Sequence, residues 1–191
     1  MSHVSIKKKE TLSDRKYKLE LYDIQQLKNG HTAVQQREVY CRPPAVAILL
    51  YDPARKTVLL TRQFRLPVLL TTRKEDHILE ACAGIIDNGE LPEHAVVREV
   101  EEETGYRISE FKPVAQGFPS PSSFTEYIYL YTGIYSPEMK VSEGGGKKEE
   151  GEDIEIVELT AEQARRMLKN GEIRDIKTIL LLQNAALEGL I

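Results

Sequence analysis

Between Gly84 and Tyr106 the chain sets three glutamates on one side of what reads as a helix. Glu99, Glu102 and Glu103 stand at i, i+3 and i+4, a spacing that projects all three side chains from one helical surface. Like charges so placed cost roughly 0.2–0.5 kcal/mol per pair unless a cation lies between them. The simplest such cation is a divalent metal with oxygen ligands, and magnesium usually brings phosphate with it. The flanks support a helix. Pro92 suits its first turn, where a missing N–H costs nothing, and Gly105 suits the left-handed position just past its end. Val96, Val97, Val100 and Thr104 form a stripe about a third of a turn from the carboxylates, so one side can pack while the other faces a site. Gly84 and Gly89 let the preceding loop bend.

The rest of the chain limits what that site can serve. At 191 residues there is room for one good core and a small accessory unit. With 26 basic and 30 acidic residues the formal net charge is −4, which argues against a nucleic-acid surface dependent on a basic field. An anionic substrate must instead be drawn by local arginines and metal. Cys41 and Cys82 do not make a disulfide framework, and both sit in apolar contexts typical of reduced intracellular proteins. Met1 to Glu10 carries lysines with no apolar stretch behind them and is not a secretory signal. The run Ile179-Leu180-Leu181-Leu182 is far too short to span a bilayer. The expectation is a soluble, cytoplasmic protein with neither nucleic-acid nor membrane partners.

Apolar alternation predicts strands at Tyr17–Tyr22 and Thr32–Tyr40 with a turn at Asn29-Gly30. Ala45–Tyr51, Thr57–Phe64 and His77–Ala83 follow, the last leading into Gly84. The acidic helix starts at about Leu91. Phe111–Phe118 and Thr125–Tyr135 read as two more strands, separated by Pro119–Ser123, and Ile154–Leu159 as a last one. Thr160 caps a helix with Gln163 three residues on, and Asp175 begins a final helix with an apolar stripe of Ile179, Leu182, Ala186 and Leu190. Strands interrupted by a helix after the third strand of the main domain, with helices again at the end, predict an α/β sandwich with a mixed sheet, preceded by a small β meander. The domain boundaries expected are 1–42 for the meander and 43–191 for the main domain.

Gly84, Glu90, Arg98-Glu99, Val100, Glu102-Glu103 and Gly105 resemble, at every fixed position, the Nudix box G-x5-E-x7-R-E-U-x-E-E-x-G-U, with U aliphatic. Tyr106 replaces the final aliphatic residue and can still bury its ring. The likeness extends along nearly the whole chain. Arg37-Glu38-Val39-Tyr40, Arg62-Gln63-Phe64-Arg65, Glu80–Gly84, Ser120-Pro121 with Thr125-Glu126, Gly144–Gly146 with Glu152–Glu155, and Gly171–Asp175 with Lys177 are similar to the groups of the family that hydrolyse GDP-mannose and ADP-ribose. Cys82-Ala83-Gly84, in place of Pro-Ala-Gly, favours the GDP-mannose group.

The resemblance implies a Nudix-type α/β/α sandwich and a hydrolase that cleaves the diphosphate of a nucleoside diphosphate sugar, using magnesium or manganese. Carried over position by position, it implies Glu99, Glu103, Glu152 and the carbonyl of Ala83 as metal ligands. It places Glu102 beside them and Arg98, with Glu90, as the pair that orients Glu99. Arg37 and Glu38 would hold the nucleotide, Arg65 the diphosphate and Lys177 the sugar phosphate end, with Tyr17 stacking on the base. Glu126 matches a substrate contact or a base, and the choice of glutamate that takes the proton stays open. A homodimer with exchanged N-terminal strands is also implied. A non-catalytic nucleotide-sugar-binding module is the reading from another class. Such modules commonly lose box carboxylates, which this chain keeps, and carry a DNA-binding segment, of which it shows no basic helix.

Overall fold

The computed structural model describes residues 3–28 and 30–191 and divides into two compact units, Met1–Pro44 with Phe118–Tyr127, and Ala45–Gly117 with Ile128–Ile191.

In the first unit β1 (His3–Asp14), β2 (Lys18–Lys28) and β3 (His31–Cys41) form an antiparallel meander. The sequence reading recovers β2 and β3 and misses β1, because Lys7-Lys8-Lys9-Glu10 breaks the alternation that marks a strand. Of the expected turn, Asn29 lies outside the described residues and Gly30 has a φ of 77°. Glu20 is only 3% exposed. It accepts bonds from Lys9 Nζ at 2.7 Å, from the Cys41 thiol at 3.3 Å and from the Tyr22 hydroxyl. The segment Phe118–Tyr127 is laced to the end of β3: Arg42 N donates to Thr125 Oγ1 at 2.8 Å, and that hydroxyl donates to the Arg42 carbonyl at 2.7 Å.

The second unit is built around β4 (Ala45–Asp52), which is buried at every position. Its odd residues Ala45, Ala47, Leu49 and Tyr51 enter one core with α3 (Ala161–Lys169) and α4 (Ile176–Leu187). Its even residues Val46, Ile48 and Leu50 enter another with α2 (Pro92–Thr104). A strand covered on both faces reads as continuous apolar sequence, which is why this element is plain in the chain. Around it β10 (Glu155–Thr160), β5 (Thr57–Phe64), β9 (Ile128–Ile134) and β8 (Phe111–Gly117) complete the order β10-β5-β4-β9-β8. β4 and β9 run parallel while the other neighbours in that order are antiparallel, so the sheet is mixed. The result is the expected α/β sandwich.

Three departures from the sequence reading matter. The strand expected at His77–Ala83 is two: β6 (His77–Glu80) pairs with β5, and β7 (Cys82–Ile85) crosses to β4. The switch falls at Ala81, whose N–H leaves the ladder to donate to Thr178 Oγ1 at 2.7 Å. A short helix α1 (Leu66–Thr72) was not foreseen; seven residues are too few for a helical period to register. The buried face of α4 is Thr178, Leu181, Leu182 and Ala185, whereas Ala186 of the expected stripe is exposed. Thr178 is polar, and a count of apolar residues overlooks it. Among the described residues no helix is long and apolar enough to cross a membrane.

The end of α2 is held from outside the helix. Its last carbonyls have no partner within the helix; Gly145 N donates to the Glu103 carbonyl at 2.9 Å and Gly146 N to that of Glu102 at 3.0 Å. The Gly105 carbonyl accepts from Val141 N at 2.8 Å and Ser142 N at 3.1 Å. Gly105 itself has a φ of 76°, and a Cβ there would overlap the Ser142 carbonyl. Gly105→Ala is therefore expected to lower stability by about 1–3 kcal/mol, read as a lower urea midpoint with an unchanged slope. An unchanged midpoint would show that the loop does not clasp the helix end.

Candidate active site

The close approach of α2 to β7 creates the site. Gly84 lies opposite Val46 in the sheet, and a Cβ on it would overlap the Glu99 carboxylate. Glycine leaves that carboxylate room against the strand in this rotamer. Arg98 then ties the acidic residues together. Its Nε and Nη2 donate to the two oxygens of Glu90 at 3.0 and 2.8 Å, and Nη2 also donates to the Ile85 carbonyl at 2.9 Å. Its Nη1 donates to Glu99 at 2.7 Å and to Glu102 at 3.2 Å. Glu90 also accepts from Asp87 N at 3.0 Å, so the fork on Arg98 fixes the loop before the helix. The Arg98 bond holds the Glu90 carboxyl down at about 2.

Glu103 is different. It is only 2% exposed, accepts one backbone bond from Ala83 N at 3.1 Å, and has no basic partner within ion-pair distance among the described residues. Burial above all, reinforced by the charges of Glu99 and Glu152, pushes its carboxyl up to about 8. Burial likewise raises Glu99, beyond what Arg98 offsets. The buried Cys82 thiol is pushed well up by desolvation and by Glu103.

Glu152 comes from the loop that caps α2, its Oε2 accepting from Lys147 N at 2.8 Å, and the Lys147 ammonium lies 2.9 Å from Glu102. This loop, from a stretch rich in glycine, lysine and glutamate, thus brings a cation as well as a carboxylate. Among the described residues no three acidic, thiol or imidazole groups enclose a metal as they stand, because Glu99 and Glu102 turn toward Arg98 and Lys147. The donor chemistry nonetheless fits a hard cation: oxygen ligands, one of them buried beside like charges with no cation of its own.

A second cluster in the same unit holds two expected contacts. Arg65 donates Nε and Nη2 to Glu80 at 2.8 and 2.9 Å, and Lys177 Nζ reaches Glu80 at 2.8 Å and Asp175 at 2.9 Å. In the sequence Glu80 stands at the start of the Glu80–Gly84 segment that carries the resemblance, but nothing there gives it a role of its own. In the other unit the Arg42 guanidinium lies 5.2 Å from the centre of the Tyr17 ring, which meets Tyr40 edge-on at 5.8 Å. Arg42 Nε is 3.0 Å from Glu126 Oε1, a partner the sequence did not suggest. Arg37 and Glu38 are exposed on β3, where Arg37 bonds to Gln35 and to the Gln36 carbonyl.

Glu103 carries a testable electrostatic cost. A carboxyl raised from 4.5 to about 8 on folding contributes stability below its unfolded pKa and loses it as pH rises through the folded value. Glu103→Gln keeps an acceptor for Ala83 N and removes the charge. In EDTA it is expected to melt a few degrees above the parent at about pH 9, with the gap closing by about pH 5. A lower Tm at high pH would contradict an uncompensated buried charge.

The chain is similar to known proteins. The sequence matches the NUDIX domain over residues 42–182. It is 40% identical over 190 residues to a GDP-mannose pyrophosphatase of Pectobacterium atrosepticum, covering 98% of this chain and 96% of that one. It is also 40% identical over 181 residues to a GDP-mannose pyrophosphatase of Escherichia coli K12, covering 94% and 93%. The fold is similar to a crystal structure of an ADP compounds hydrolase, with a TM-score of 0.72 at 22% identity over 98% of this chain and 95% of that one. With Arg98, Glu99, Glu102 and Glu103 of the box on one helix against Gly84 and a family match spanning most of its length, the chain belongs to the Nudix family and is a hydrolase.

Proposed function

We propose that this hydrolase cleaves the diphosphate bond of a nucleoside diphosphate sugar, converting GDP-mannose to GMP and mannose 1-phosphate. The observation that carries the reading is Glu103, a buried carboxylate with no basic partner among the described residues, beside Glu99 on a helix clasped at its end and within the field of the loop residue Glu152. The names of the relatives supply the substrate. A second substrate, ADP-ribose, giving AMP and ribose 5-phosphate, fits the name of the structural neighbour, an ADP compounds hydrolase. The retained box carboxylates speak against a module that only binds.

Magnesium or manganese would be held by Glu99, Glu103, Glu152 and the carbonyl of Ala83. When bound, the metal neutralises charge on the phosphoryl oxygens and lowers the pKa of water. The oxygen of water forms a bond to a phosphorus of the bridge as the bridging P–O bond breaks, and a glutamate of the site takes the proton. Glu102 and Glu126 stand with Glu152 as the carboxylates open to that role. Arg98 with Glu90 keeps Glu99 aimed. Arg65 takes the diphosphate, Lys177 the sugar phosphate end with its remaining N–H, Arg37 and Glu38 the nucleotide, and Tyr17 the base. Residues 1–42 act as a β appendage that joins two subunits into a homodimer, and 43–191 as the hydrolase domain, working in the cytoplasm. The exposed Val4, Ile6, Leu27 and Val34 of the meander support the dimer.

Purified protein with magnesium is expected to release GMP from GDP-mannose with a higher kcat/KM than it shows for AMP release from ADP-ribose. EDTA should abolish both, and Glu99→Gln and Glu103→Gln should each lower kcat by orders of magnitude. A higher kcat/KM on ADP-ribose would transfer the assignment to the second substrate. Wild-type turnover in Glu103→Gln would remove that residue from the metal set.

A further inference from the structure

Glu80 is only 4% exposed and ends β6, one residue before the chain changes strand partner. Its two oxygens take three charge-assisted bonds: Arg65 Nε on Oε1, and both Arg65 Nη2 and Lys177 Nζ on Oε2. Two positive groups therefore share one oxygen. Left alone, they would repel and sample many rotamers, since both side chains are long and flexible.

The support behind Glu80 is equally specific. Ala81 N donates to Thr178 Oγ1 at 2.7 Å, and Thr178 N donates to Asp175 Oδ2 at 3.0 Å. Asp175 caps α4 and holds Lys177 Nζ at 2.9 Å. The strand switch and the start of α4 are thus locked to each other, and the two cations are locked between them. Of five guanidinium N–H groups Glu80 engages two, and of three ammonium N–H groups the two carboxylates engage two, so each cation keeps donors for an anion. Although burial pushes the Glu80 carboxyl up, Arg65 and Lys177 draw it down to about 2, so it stays charged at any working pH. Three residues after Glu80, Ala83 N donates to Glu103 at 3.1 Å, which joins this part of the chain to the box.

We propose that Glu80 is a positioning residue that holds Arg65 and Lys177 together as one prearranged pair of cations for the phosphates of the substrate. This rests on the reading of Arg65 and Lys177 as substrate contacts given above. Cations already fixed need not be ordered when the substrate binds, so that cost is removed from binding.

The test is a double-variant cycle measured with magnesium and GDP-mannose, with Tm recorded for each protein. Glu80→Gln keeps the shape and loses the charge; it is expected to raise KM about tenfold or more while kcat stays within about threefold. Arg65→Lys keeps the charge and loses the fork, and it should raise KM similarly. Because both act on one arrangement, the double variant should have a KM no more than about twice that of the worse single one. Multiplying effects, or a wild-type KM in Glu80→Gln, would overturn the proposal. If Arg65→Lys and Lys177→Met both leave KM unchanged, the substrate-contact reading itself falls, and the proposal with it. Should Glu80→Gln not fold, Glu80→Asp serves instead: it keeps the charge but withdraws it by one methylene, and a raised KM at unchanged Tm is expected. A wild-type KM in that variant would overturn the proposal equally.

Discussion

The contact between Gly84 and Glu99 governs the architecture of this protein's site. α2 lies so near β7 that a single added carbon at Gly84 would meet the Glu99 carboxylate. That proximity buries Glu103 against Ala83 N and draws Arg98 to the Ile85 carbonyl. The outer end of the helix is held by backbone donors of Gly145 and Gly146. With its C-terminal half held against β7 and its last carbonyls bonded to the loop, the helix presents its carboxylates with little freedom.

Charge is distributed unevenly over this frame. Arg98 serves Glu90, Glu99 and Glu102, and Lys147 serves Glu102 again. Glu103 receives one backbone N–H, and burial drives it toward the neutral form. Burying a lone carboxylate is costly unless something positive meets it. The imbalance distinguishes Glu103 from Glu80, also buried but paired with two cations.

The legibility of the fold followed the physical signals each element carries. β4 was plain because both its faces are covered; α3 and α4 were plain from Thr160 with Gln163 and from Asp175. β1 was hidden by its lysines, since a strand of an exposed meander needs no apolar alternation. The division at Ala81 was hidden too, because the bond that diverts its N–H comes from Thr178, nearly a hundred residues away. In the site, the box residues were legible through their helical spacing and the glycines around them. Glu80, Arg42 and Lys147 were not, because their importance lies in partners remote in sequence.

The amino-acid sequence by itself determined the helix, its caps, the spacing of its carboxylates and the central buried strand, all set by interactions within a few residues. That spacing, with the glycines around it, carries the resemblance to the family to which the chain belongs. Only the tertiary structure decided which carboxylate is left without a cation, which cations share Glu80, and which loop closes the end of the helix. Those outcomes depend on burial and on pairings across the sheet, and desolvation acts on a charge only once the chain has folded around it.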